Sequence, residues 1–139
     1  MATNYFDIIL ERLKIILKTA LPGSIQIYNS DTDKIKDSLS IIKGNLQELS
    51  RWATDYRADR FHFQLKLRLK YTKNSDRTEL LDKYLHTIIV ALPISDTTTN
   101  WFDAKINSEN IEIEEDENGI KTHWLRTINF SCMLAYKKE

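Results

Sequence analysis

The densest charged feature of the chain is the acidic run Glu109, Glu112, Glu114, Glu115, Asp116 and Glu117. Clustered carboxylates hold magnesium, and Asp103 with Lys105 adds an Asp-x-Lys fragment that echoes metal-dependent nucleases. Such an enzyme would use Asp103, Glu112 and Lys105. The run leads into Asn118–Gly119, however, the strongest short hairpin signal available, so its carboxylates belong to a wet tip. Two ions need ligands held by rigid elements. The expected role of Glu112, Glu114, Glu115, Asp116 and Glu117 is therefore a solvated tip or an electrostatic contact surface.

Other chemistry-bearing residues are scattered. His62, His86 and His123 show no helical i, i+4 pairing, and His62 and His123 fall on the expected solvent faces of their strands. Cys132 is in phase with Ile128, Phe130 and Leu134, which reads as a small buried hydrophobe without an adjacent base. Gly23, Gly44 and Gly119 stand too far apart to cradle a phosphate. Lys66, Arg68 and Lys70, flanked by His62 and Lys73, could meet nucleic-acid phosphate. Their neighbours Phe61, Phe63 and Tyr71 point to the opposite face, so no stacking platform accompanies the charge. The stretch Arg51 to Arg60 has the composition of interface anchors, with Trp52 and Tyr56 interleaved among Arg51, Arg57 and Arg60. It reads as a loop or exposed arm, either a contact surface or a surface loop with Trp52 tucked into the core. Trp101–Phe102 can be either an anchor or core. The expectation is a non-enzymatic protein with no cofactor and no metal.

The elements that position these groups follow from periodicity. Phe6, Ile9, Leu10, Leu13, Ile16, Leu17 and Ala20 form one helical stripe, capped by Asn4 or Thr3 and ended by Pro22–Gly23. Ser24–Tyr28 alternates as a short strand. Residues 30–60 read as an irregular, strand-like excursion with a turn at Gly44–Asn45. Phe61 to Tyr71 alternates apolar and polar without a miss, the mark of a half-buried strand. A second helix, Arg77–Leu92, opens with an Asp76/Glu79 capping box, and its stripe is Leu80, Leu81, Tyr84, Leu85, Ile88, Ile89 and Leu92. A closing hairpin joins Phe102–Glu114 to the return strand through Trp124, Ile128, Phe130, Cys132, Leu134 and Tyr136. Strand runs with two packing helices give an α+β fold, an antiparallel or mixed sheet with a long C-terminal hairpin.

The chain has 139 residues, 42% apolar and 29% charged, enough for one domain over 1–139 with a real core. One cysteine excludes an internal disulfide framework. The zero net charge removes the strongly basic signature of a dedicated nucleic-acid binder. Charge is nevertheless split along the chain. Residues 1–70 carry 12 Lys/Arg and 8 Asp/Glu, and residues 71–139 carry 8 and 12. Opposite halves of this kind are either two solvated faces or the complementary surfaces of a head-to-tail oligomer. The longest apolar run, Ile88–Pro93, is too short to span a membrane, and no signal peptide is evident, so a cytosolic product is expected.

The order of elements resembles the tail terminator (tail-completion) proteins of long-tailed bacteriophages. The likeness rests on the opening helix Tyr5–Leu21 with Ser24–Tyr28, the strand Phe61–Tyr71, the helix Arg77–Leu92 straight after it, and the hairpin at Asn118–Gly119. It implies a small α+β virion protein, assembled in the host cytoplasm as a homo-oligomeric ring, usually of six subunits. Such a ring ends tail-tube polymerisation and docks neck and head-completion proteins, with DNA only as cargo through its lumen. An acidic patch facing that lumen would repel the passing DNA. A neck adaptor or tail-tube protein is the neighbouring reading, and a small nucleic-acid-binding module a more distant one.

Overall fold

The computed structural model describes residues 4–30, 36–53 and 56–137, with the backbone alone for 48–53, 56 and 137. Helix α1 (Tyr5–Ala20) starts where the Asn4 carboxamide accepts the Asp7 N–H at 3.2 Å. It ends where Leu21 donates back to Leu17 and Pro22, lacking an N–H, stops the ladder. The other expected cap, Thr3, lies outside the described residues. Strand β1 (Gln26–Tyr28) follows, then β2 (Ser38–Ala53) and β3 (Tyr56–Lys70). Helix α2 (Thr78–Ala91) leads to β4 (Phe102–Ser108), β5 (Glu112–Glu115) and β6 (Lys121–Lys137). The chain is α+β, with a six-stranded mixed sheet in the order β1-β2-β3-β6-β4 and β5 continuing the β4 side along β6.

Only β1 and β2 pair in parallel; the other pairings are antiparallel. β3 and β4 both run antiparallel to β6, which lies between them, so β3–α2–β4 is a split crossover with the last strand inserted. Both helices pack on one face. Ile9, Leu10, Leu13 and Leu17 of α1, with Leu81, Leu85 and Ile88 of α2, meet Phe61, Phe63, Leu65, Leu67, Leu69, Ile128, Phe130 and Cys132. The alternation of β3 is thus a core on one side and a polar open face on the other. Trp101 belongs to the core: it is 1% exposed, donates its indole N–H to the Pro93 carbonyl at 3.1 Å, and lies edge-on to Phe130.

Three sequence expectations are corrected. The Asp76/Glu79 capping box does not form, because the Asp76 carboxylate accepts the N–H and hydroxyl of Thr78 instead. Ile89 is not part of the buried stripe but 42% exposed, beside Val90. The segment Arg51 to Arg60, expected as a loop or arm, is strand at 51–53, the end of β2, and at 56–60, the start of β3; residues 54–55 lie outside the described residues.

The excursion at 30–60 is mostly this long strand, and its irregularity has a structural cause. The register of β2 against β3 shifts between Lys43/Leu46, Glu48/Ser50 and Ser50/Ala53, one extra residue on β2 each time. Such bulges bend a strand and increase its twist. Gly44, expected in a turn, sits at the first bulge. A Cβ there would stand 2.9 Å from the His62 carbonyl oxygen, so only glycine permits this approach.

Candidate functional site

The two segments expected to make contacts have different fates. In the first, the Arg57 guanidinium bonds the Asp59 carboxylate at 3.0 Å and lies over the Tyr136 ring, 5.8 Å from its centroid. The Tyr136 hydroxyl donates to Asp59, and Tyr5 of α1 stacks on Tyr136 at 4.3 Å. Burial, then the bond to Asp59, pushes the Tyr136 phenol up to about 12. Arg60 is only 6% exposed. It donates to the Asp103 carbonyl at 3.0 Å and the Ser131 hydroxyl at 2.9 Å, and it pairs with the Asp103 carboxylate. Arg60 is therefore a clamp between β3, β6 and β4, not a contact anchor. It holds the start of β4 where Asp103 takes a left-handed φ of 50°. The side chains of Arg51, Trp52 and Tyr56 lie outside the described residues.

The second segment stays outside. Glu112, Glu115, Asp116 and Glu117 are exposed on β5 and its turn. Asp116 spends its carboxylate on the tip, accepting N–H groups of Asn118 at 2.8 Å and Ile120 at 3.0 Å, while Gly119 takes φ 76°. Glu114 faces inward and holds Arg68 at 2.7 Å, with His123 3.8 Å away. Arg68 is 5% exposed, which corrects the expectation that Lys66, Arg68 and Lys70 form one free basic face.

The nuclease set does not assemble. On β6, Lys105 is level with Ser131 and Glu112 with Leu125, six residues apart. At strand spacing that is about 20 Å, too far for Asp103 and Glu112 to share an ion. No group of three His, Cys, Asp or Glu among the described residues is arranged to hold a metal. His62 pairs with Ser131 and His123 with Lys70, again far apart along the sheet. Burial pushes the Cys132 thiol up to about 12, which leaves it protonated and unreactive at neutral pH.

Two concavities stand out among the described residues. A broad trough of about 1150 Å³ crosses the open sheet face, lined by amides such as Asn45, Gln47, Gln64, Asn107 and Asn129. A smaller one, about 490 Å³, lies beside β1 and is lined by Lys18, Leu21, Pro22, Ile25, Gln26 and Ile27. Sequence reading missed this second pocket, because it exists only where the end of α1 meets β1.

The fold gives the linear charge split a spatial meaning. Residues 1–70 build α1, β1, β2 and β3, and residues 71–139 build α2, β4, β5 and β6. The strand order keeps these sets on opposite sides of the sheet. By sequence, residues 1–70 carry 12 cations and 8 anions and their described strands end at β1 and β2; residues 71–139 carry 8 and 12 and theirs end at β4 and β5. No helix among the described residues is long and apolar enough to cross a membrane. No protein-family model and no curated protein matches the chain.

Proposed function

We propose that this chain is a structural subunit of a phage tail, closing with its own copies into a ring that caps the head-proximal end of the tail tube. The observation that carries the reading is the charge-split sheet. By sequence, the residues of one side carry a positive surplus and those of the other a negative one, and each side ends in a strand edge that no other described strand pairs. Unlike, complementary edges on one molecule favour head-to-tail contacts, the kind that generate rings when the rotation closes. The element order adds its resemblance to tail terminators, from which come the ring of six, the tail-tube and neck partners, the place in the virion, and DNA as cargo alone. In this reading the protein acts by shape and charge.

Two experiments test it together. Electron microscopy of the purified protein at high concentration shows annular particles with a central hole. Deleting the gene from the virus that encodes the chain yields overlong tubes and heads without tails. Normal virions from the deletion overturn the reading.

A further inference from the structure

The register places the two unlike edges at one height. Gln26 of β1 pairs with Ser38, Ser38 with Arg68, Arg68 with Leu125, and Leu125 with Glu112 of β5. A single cross-strand row thus runs from the pocket beside β1 to the acidic hairpin, spanning about 19 Å at the usual strand separation. The pocket is apolar at its floor, from Leu21, Pro22, Ile25 and Ile27, and carries the exposed cation Lys18 at its rim. At the other end of the row, the hairpin offers two isoleucines to solvent, Ile113 at 38% and Ile120 at 60% exposure. The exposed acids Glu112, Glu115 and Glu117 flank them. Ile113 is level with Trp124 and Leu69, which puts it on the helix side of the sheet, the side of the pocket's Lys18 and Leu21.

From this we infer that the acidic hairpin of one copy docks in the β1 pocket of the next, Ile113 and Ile120 entering the apolar floor and Glu115 and Glu117 meeting Lys18. The inference rests on the ring reading above and names the surfaces that build the ring. Knob and pocket differ, so the contact is heterologous and each copy uses both. A heterologous contact closes into a ring when the rotation between successive copies divides a full turn and the rise is nil. A difference in height would wind the copies into a filament instead. The inference also takes the hairpin out of the lumen and places it between subunits.

Gly23 supplies the test, since a Cβ added there meets nothing within 4 Å and its φ is ordinary. The full chain carrying Gly23→Cys and Ile120→Cys, treated with a short bis-maleimide, gives a ladder of covalent oligomers ending in one closed species. Each single variant gives dimers at most, and the buried Cys132 stays silent. Separately, Gly23→Glu sets a carboxylate against the neighbour's hairpin and weakens self-association at least tenfold, measured by sedimentation. Adding Lys18→Glu, Glu115→Lys and Glu117→Lys together, which sets two hairpin cations against two pocket carboxylates, restores it. An oligomer that forms without a ladder and ignores Gly23→Glu overturns this contact and leaves the ring reading standing. A chain monomeric at every concentration overturns both, whereas a ladder without a closed limit supports the docking and overturns the ring.

Discussion

Arg51 to Arg60 and Glu109 to Glu117 look alike as sequence: each is short, densely charged and set between apolar strands. The fold treats them oppositely. Arg57 and Arg60 are consumed inside the subunit, on Asp59, Tyr136, Asp103 and Ser131. Of the acidic run, Glu114 is consumed on Arg68 and Asp116 on its own turn, while Glu112, Glu115 and Glu117 keep their charge in water. The difference follows from position in the sheet. β3 has a partner on each side, so its side chains find neighbours, whereas among the described strands β5 pairs with β6 alone. Density of charge thus does not mark a contact surface. Charge left over after the fold has used what it needs does.

Removing Arg60 should give the largest effect. Arg60→Ala deletes a buried stem and leaves the Ser131 hydroxyl without its donor, so a loss of about 3 kcal/mol is expected. Urea denaturation reads it as a lower midpoint at unchanged slope. A loss under about 0.5 kcal/mol, the range of ordinary surface changes, would return Arg60 to the free surface. Gly44→Ala comes next. Its Cβ would press on the His62 carbonyl at 2.9 Å, where backbone must yield, and about 1–3 kcal/mol is expected. A neutral result would mean that the first bulge relaxes at little cost.

Gly44 also explains which parts of the fold the sequence could disclose. The alternation from Phe61 to Leu69 was legible because β3 keeps a strict period of two. The hairpin at Asn118–Gly119 was legible because its turn chemistry is local. β2 was not, since each bulge lengthens the spacing between residues on one face from two to three, as from Lys43 to Leu46. A strand bulged three times therefore imitates the spacing of a helix. The candidate site was legible by half. Its acidic hairpin is contiguous in sequence, whereas the pocket with Lys18 joins a helix end to a strand, and the burial of Arg60 depends on Asp103 and Ser131, 43 and 71 residues away.

A smaller effect comes from acid. Burial would raise the carboxyls of Asp37 and Asp96, but bonds from Arg77 and the Lys70 N–H to the first, and from Arg12 and Thr99 to the second, outweigh it and hold both below the ordinary value. A carboxyl depressed in the folded state stabilises the fold above its unfolded pKa and loses that contribution as pH falls through its folded one. Thermal stability should therefore drop as pH falls below about 4, the ordinary range for aspartate. Asp37→Asn and Asp96→Asn lower Tm at pH 7, and each narrows the gap between pH 7 and pH 3. A gap as wide as that of the parent chain would mean that other groups govern the acid limb.

The smallest effect on stability is the sharpest on the comparison. Glu112→Gln, Glu115→Gln and Glu117→Gln together remove three charges from nine residues, yet none of them bonds within the subunit among the described residues. The triple variant should keep its unfolding free energy within about 0.5 kcal/mol of the parent, the range of surface substitutions that touch nothing. Its self-association should change instead, losing most of its dependence on salt, because opposite charges brought together between copies are screened by ions over about 10 Å at 0.1 M. A drop of several degrees in Tm would show that these acids serve the fold as Arg57 and Arg60 do. Unchanged stability with lost salt dependence keeps the two segments apart: both densely charged, one spent within the chain and the other, as we propose, held for its neighbour.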